Sequence, residues 1–116
     1  MTKSYPVALV GESNYQHAIA SVGEGEDVLL WHEPDNPYDP RAIAAVCHGD
    51  TIGYLPQGHW LGRALLDEGK GVRARIGRCE RGASGLTGVR LLVSLDGEQL
   101  ATRMFEAAPN SAPHSG

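Results

Sequence analysis

Glu33-Pro34-Asp35-Asn36-Pro37-Tyr38-Asp39-Pro40 separates two apolar runs, Val28-Leu29-Leu30-Trp31 and Ala42-Ile43-Ala44-Ala45-Val46. Both runs read as buried strands, being short, apolar and bounded by turn residues. Three prolines with Asp35 and Asn36 supply ample turn chemistry for the connection. Tyr38 is not a turn residue, and Pro37 and Pro40 have no N–H with which to occupy the Asp39 carboxylate. The segment therefore reads in two ways. It is either a stiff connection with a surface tyrosine, or a rigid loop that presents an aromatic face beside an acceptor to a ligand. Binding residues concentrate on loops held by rigid scaffolds, and this segment alone does not separate the two readings.

Outward from the loop, strand signals continue in both directions. Val7-Ala8-Leu9-Val10 reads as a first strand ending at Gly11, and Ser13 or Asn14 is placed to cap a short helical turn over 18–22. Residues 28–33 and 42–47 form the second and third strands. His48-Gly49-Asp50 is a tight turn, so 51–55 pairs back as a fourth. Leu61, Ala64, Leu65 and Glu68 fall at helical spacing across 59–68, and Gly69 stands where a helix ends. Val72, Ala74 and Ile76 alternate with Arg73 and Arg75 along a fifth strand over 71–81. Val89, Leu91, Val93 and Leu95 alternate along a sixth. The expectation is a mainly β chain with one or two short helices, built as a small, partly open barrel of about six strands.

The chain has 116 residues and 41% hydrophobic content, enough for one core and one domain. We place that domain at 1–105 and read 106–116 as a tail with little to bury. No apolar run reaches the ~18 residues a membrane helix needs, and the amino terminus is a poor signal peptide. Cys47 and Cys79 lie far apart in predicted strands and read as free thiols of a cytoplasmic protein. The net charge of −4 is unevenly spread. Residues 1–62 hold 8 acids against 2 bases, and residues 63–103 hold 8 bases against 5 acids. A generic polyanion binder is disfavoured, but a local basic face is compatible with this pattern.

His17, His32, His48 and His59 show none of the close spacings of structural zinc ligands, so neither a metal nor a cofactor is expected. Asp35, Asp39 and Asp50 are the nearest approach to a carboxylate cluster, and the loop's three prolines work against convergence on one ion. No phosphate loop or nucleophile–base pairing stands out, so no enzyme is expected. Tyr15, Tyr38 and Tyr54 all fall at strand ends or in loops, where rings at a barrel mouth can stack unpaired bases. For Tyr54 the competing reading is a half-core position; Trp31 and Trp60 read as core or helix-packing residues. Arg73 and Arg75 share one strand face, which is either a track for phosphates or a solvated edge that resists aggregation.

Taken together these pieces resemble the HIRAN domain, in the form of a stand-alone bacterial or phage-type member. The matching residues are Val10-Gly11 with Tyr15-Gln16, the loop from Glu33 to Asp39 with Ala42-Ile43, and Ile52-Gly53-Tyr54-Leu55. The resemblance spans about residues 5–97 and implies an oligonucleotide-binding-like (HIRAN) barrel that captures the 3′ end of single-stranded DNA in repair or replication-fork processing. It implies that Tyr15 and Tyr38 stack on terminal bases, that Asp39 accepts a hydrogen bond from the free 3′-hydroxyl, and that Asn36 shapes the loop or contacts the terminal nucleotide. Tyr54, Arg73 and Arg75 complete the expected nucleic-acid-binding set. A separately encoded helicase or nuclease is the implied partner, because no motor is present. The alternatives are a protein-interaction module that takes a peptide in the same pocket and an accessory subunit of a separately encoded nuclease or helicase. Two departures stand out. Where eukaryotic members carry a lysine, this chain has Pro56-Gln57-Gly58-His59, and an aromatic expected near the end of the fifth strand is replaced by Arg78-Cys79-Glu80-Arg81.

Overall fold

The structure is a computed structural model that describes residues 3–108. Its strands are β1 (Tyr5–Ala8), β2 (Asp27–His32), β3 (Ile43–Cys47), β4 (Asp50–Tyr54), β5 (Val72–Arg81), β6 (Thr87–Glu98) and the short β7 (Ala101–Thr102). They form one sheet in the order β1-β6-β5-β2-β3-β4, with β7 alongside β2. The expected partly open barrel of about six strands is therefore present as a half-barrel sheet, and β7 adds a parallel pairing, Trp31 with Ala101 and His32 with Thr102, that the sequence did not signal.

Alternation builds this sheet. Ala74 and Ile76 of β5 and Val89, Leu91 and Val93 of β6 are buried, while Arg73 and Arg75 are exposed. One face of each strand thus feeds the core and the other meets solvent. β3 differs in being buried at every residue, as a central strand covered on both faces should be. β2 couples the two halves: Asp27 and Val28 pair with β5, and Leu29 to His32 pair with β3.

The edges of this sheet, β1 and β4, meet where the Val10 and Tyr54 backbones exchange hydrogen bonds of 2.8 and 3.0 Å. Gly53 allows this approach. A Cβ there would lie 3.1 Å from both the Leu9 Cβ and the Val10 carbonyl oxygen, and its φ of 155° is one that other residues seldom adopt.

The expected helix over 59–68 appears as α2 (Trp60–Gly62), which continues as a π-helical turn over Arg63–Asp67. The His59 side chain accepts from the Leu61 N–H at its start. Leu61, Ala64 and Leu65 are buried against the barrel, whereas Trp60 is 48% exposed and stands edge-on to Tyr5 at 4.9 Å. Trp60 is thus a half-open packing residue and not a core one. The first helical piece also differs from expectation. Ser13 and Asn14 lie inside a 3-10 turn (Glu12–Asn14), and α1 (Gln16–Ile19) begins after Tyr15 with no side-chain cap. Gln16 anchors the turn instead, through bonds to the Glu12 carbonyl and to both backbone groups of Thr87. At the other end, Ala108 is buried in the core. The remainder of the expected tail, from 109, lies outside the described residues.

Candidate nucleic-acid interface

The proline loop is held by side chains acting on its own backbone. Asn36 Oδ1 accepts from the N–H groups of Tyr38 (2.8 Å) and Asp39 (3.2 Å), which folds the loop into an Asx turn. Asn36 Nδ2 donates to Glu33 Oε1 at 3.0 Å, tying the turn to the end of β2. Asp39 Oδ1 accepts from the Arg41 N–H at 2.9 Å. The Arg41 guanidinium turns away to make a two-pronged pair with Asp67 at 3.0 Å. That pair holds the Asp67 carboxyl below the usual aspartate range; the Arg41 charge still acts on Asp39 through space, but its guanidinium is engaged by Asp67.

Beneath the loop lies Glu33, wholly buried. A buried carboxylate is costly unless its oxygens are satisfied, and here they are. Oε1 accepts from Asn36 and from the Tyr54 hydroxyl at 2.8 Å; Oε2 accepts from Arg103 Nε at 2.7 Å, with Nη2 of the ion pair at the same distance. Arg103 Nη2 also donates to Thr51 Oγ1. Among the described residues no buried side-chain polar atom lacks a partner.

Over this network opens a cleft of about 510 Å3 whose lining includes Tyr15, Tyr54, Asn36, Tyr38, Asp39 and Phe105. The aromatic groups differ sharply in exposure. Tyr38 is 81% exposed and stands edge-on to Phe105, ring centres 6.1 Å apart. Tyr15 is only 8% exposed and packs at 6.2 Å from Tyr54, forming wall and floor. Burial pushes the Tyr15 phenol up, partly offset by its interaction with Tyr54. Burial, followed by the bond to Glu33, pushes the Tyr54 phenol far up, so both are neutral donors at physiological pH.

Five of the seven residues singled out from sequence therefore meet at one cleft: Tyr15, Asn36, Tyr38, Asp39 and Tyr54. Arg73 and Arg75 do not. Arg73 lines a separate depression with β2 and the β6–β7 segment, and Arg75 pairs across to Leu92 and Asp27. Sequence reasoning missed Arg103 and Phe105, which the expected barrel left near its end. The signal available was Glu33 itself, an acid closing an apolar strand, which demands a buried partner from elsewhere. Phe105 is brought to the rim because its N–H donates to Asp35 Oδ1 at 3.0 Å, just after Arg103 N–H donates to the His32 carbonyl.

The sequence matches the model of the HIRAN domain over residues 4–94. The chain belongs to the HIRAN domain family. HIRAN domains are known as DNA-binding modules. Among solved structures, this HIRAN domain is similar to that of human HLTF, with 23% identity over 82% of this chain and 76% of that one and a TM-score of 0.61. It is also similar to a protein from Lactobacillus plantarum, 20% identical over 81% of this chain and 97% of that one, with a TM-score of 0.57. These likenesses establish the shared fold. No curated protein matches the sequence. No helix among the described residues is long and apolar enough to cross a membrane.

Proposed function

We propose that this HIRAN domain is a non-catalytic module that captures the free 3′-hydroxyl end of single-stranded DNA. The observation that carries the reading is the convergence of Tyr15, Tyr38, Tyr54, Asn36 and Asp39 on one cleft. Tyr38, exposed on a braced loop, offers a ring face on which a terminal base stacks for ~1–3 kcal/mol. Tyr15 and Tyr54 supply the apolar wall against which that base and its sugar rest. The Asp39 carboxylate accepts from a hydroxyl and repels a terminal phosphate, because two anions in a poorly solvated pocket repel strongly.

The strand leaves the cleft over a neighbouring groove that shares Asp39, Leu55 and Gln57 with it and adds His59, Trp60 and Arg63. In this reading Arg63 meets phosphate, with Trp60 as a second stacking surface, and Arg73 and Arg75 are not needed. Few phosphates are neutralised, so affinity falls only shallowly with salt. A role in repair or fork processing, with a helicase or nuclease as partner, is part of this reading.

Fluorescence anisotropy with single strands ending in 3′-hydroxyl or 3′-phosphate tests the proposal. The hydroxyl end should bind more tightly, and Asp39→Asn should erase the preference while keeping affinity for the hydroxyl end. Equal binding of both ends by the unaltered chain removes end capture. Binding that survives Tyr38→Ala undiminished removes the stacking role.

A further inference from the structure

A second cluster of chemistry-bearing side chains lies outside the candidate cleft. Glu26 immediately precedes β2, Cys47 ends β3, and His48 occupies the turn into β4. One donor atom from each, a carboxylate oxygen, the Cys47 sulfur and an imidazole nitrogen, lies within 4.8 Å of the others. Glu26 and His48 Nε2 are paired directly. None of the three lines the cleft that holds the tyrosines.

We propose that Glu26, Cys47 and His48 bind a zinc-class divalent cation that ties the segment before β2 to the β3–β4 turn. The donor set is the one such an ion selects: thiolate, imidazole and carboxylate, with one position left for water. Each donor is placed by the fold and not by its own flexibility. The Glu26 carbonyl accepts from the Ile76 N–H at 2.8 Å, which fixes its backbone to β5, and Oε1 is engaged by the Gly23 N–H. Oε2 is thereby directed to the cluster. Cys47 is 2% exposed, its sulfur at 3.5 Å from the Asp27 carbonyl oxygen. His48 holds a left-handed backbone, φ 54°, beside Gly49 at φ 81°. Binding of the ion releases the Cys47 thiol proton to solvent.

The test uses the full chain, stripped with a chelator and then titrated with cobalt(II) as a spectroscopic stand-in for zinc. The expected result is a thiolate-to-cobalt charge-transfer band with tetrahedral visible absorption, saturating at an equimolar ratio and displaced by zinc. Zinc should also raise the melting temperature in proportion to its saturation of the site. Cys47→Ser should abolish the charge-transfer band. Because Cys47 is buried and that variant risks misfolding, the two exposed-side ligands are changed separately. Glu26→Gln and His48→Asn, the latter suited to a left-handed backbone, should each weaken cobalt binding about tenfold or more while circular dichroism stays native. A folded, unaltered chain with no cobalt spectrum overturns the proposal. So does a spectrum that both Glu26→Gln and His48→Asn leave unchanged. Neither result bears on DNA capture at the tyrosine cleft.

Discussion

Glu33 and Arg103, 70 positions apart, form an ion pair at 2.7 Å in which the acid is wholly buried and the arginine side chain only 16% exposed. This pair joins the end of β2 to the segment after β7, and through Asn36 and Tyr54 it reaches both the motif loop and the cleft floor. Asn36 and Tyr54 are thereby braced from below by one carboxylate.

Glu33→Ala leaves the largely covered Arg103 without its counter-ion, and removing one partner of a buried pair costs up to ~3–5 kcal/mol. Urea unfolding should register a loss of that size. Changing both residues, Glu33→Leu with Arg103→Leu, should cost less than the sum of the single changes. A loss below ~1 kcal/mol for Glu33→Ala would mean that water reaches the site and the pair is not dry.

Tyr38 separates stability from binding. Its ring is 81% exposed and touches Phe105 edge-on, so Tyr38→Ala should change stability by no more than ~0.5 kcal/mol. The same variant should lose ~1–3 kcal/mol of affinity for single-stranded DNA. Thermal melting and anisotropy on one preparation check both halves.

Asn36→Ala deletes an acceptor for two backbone N–H groups and a donor to Glu33. A loss of ~1–3 kcal/mol is expected. Hydrogen exchange at the amides of Tyr38 and Asp39 should accelerate while exchange in β5 and β6 keeps pace only with the global change. Asn36→Asp is no substitute, because it places a second carboxylate against Glu33.

Alkaline pH should act through Tyr15 and Tyr54. Both phenols are raised above the ordinary value of 10.0 by burial, and Tyr54 further by Glu33. A raised acid binds its proton more tightly in the folded state. The stability it confers is therefore complete below pH 10 and is lost as the pH climbs through the folded-state values. Tyrosinate absorbance should account for fewer than the four tyrosines until circular dichroism reports unfolding. Titration of all four near pH 10 with a native spectrum would contradict this.

Gly53→Ala tests the barrel seam. The added methyl meets the Leu9 side chain and the Val10 carbonyl at 3.1 Å, so the strand must shift or the Val10–Tyr54 bridge must open. Crowding of this kind costs ~1–3 kcal/mol. A melting temperature equal to that of the unaltered chain would show that the seam yields freely.

Local chemistry carried much of this fold into view from the sequence alone. Alternation at Val72-Ala74-Ile76 and at Val89-Leu91-Val93 marks strands because side chains on a pleated strand change face at every residue. Prolines with Asn36 mark the loop, and Tyr38 on it stands out because an aromatic is no turn residue. These signals act over a few positions and need no knowledge of what lies opposite. The partner of Glu33, the arrival of Phe105 at the rim, the absence of Arg73 and Arg75 from it, and the meeting of Glu26 with Cys47 and His48 were decided only by tertiary structure. Each depends on which distant segments the closing sheet brings side by side, and on the need of a buried charge or hydrogen-bonding group to find its complement there. Spacing along the chain carries no record of that distance in space.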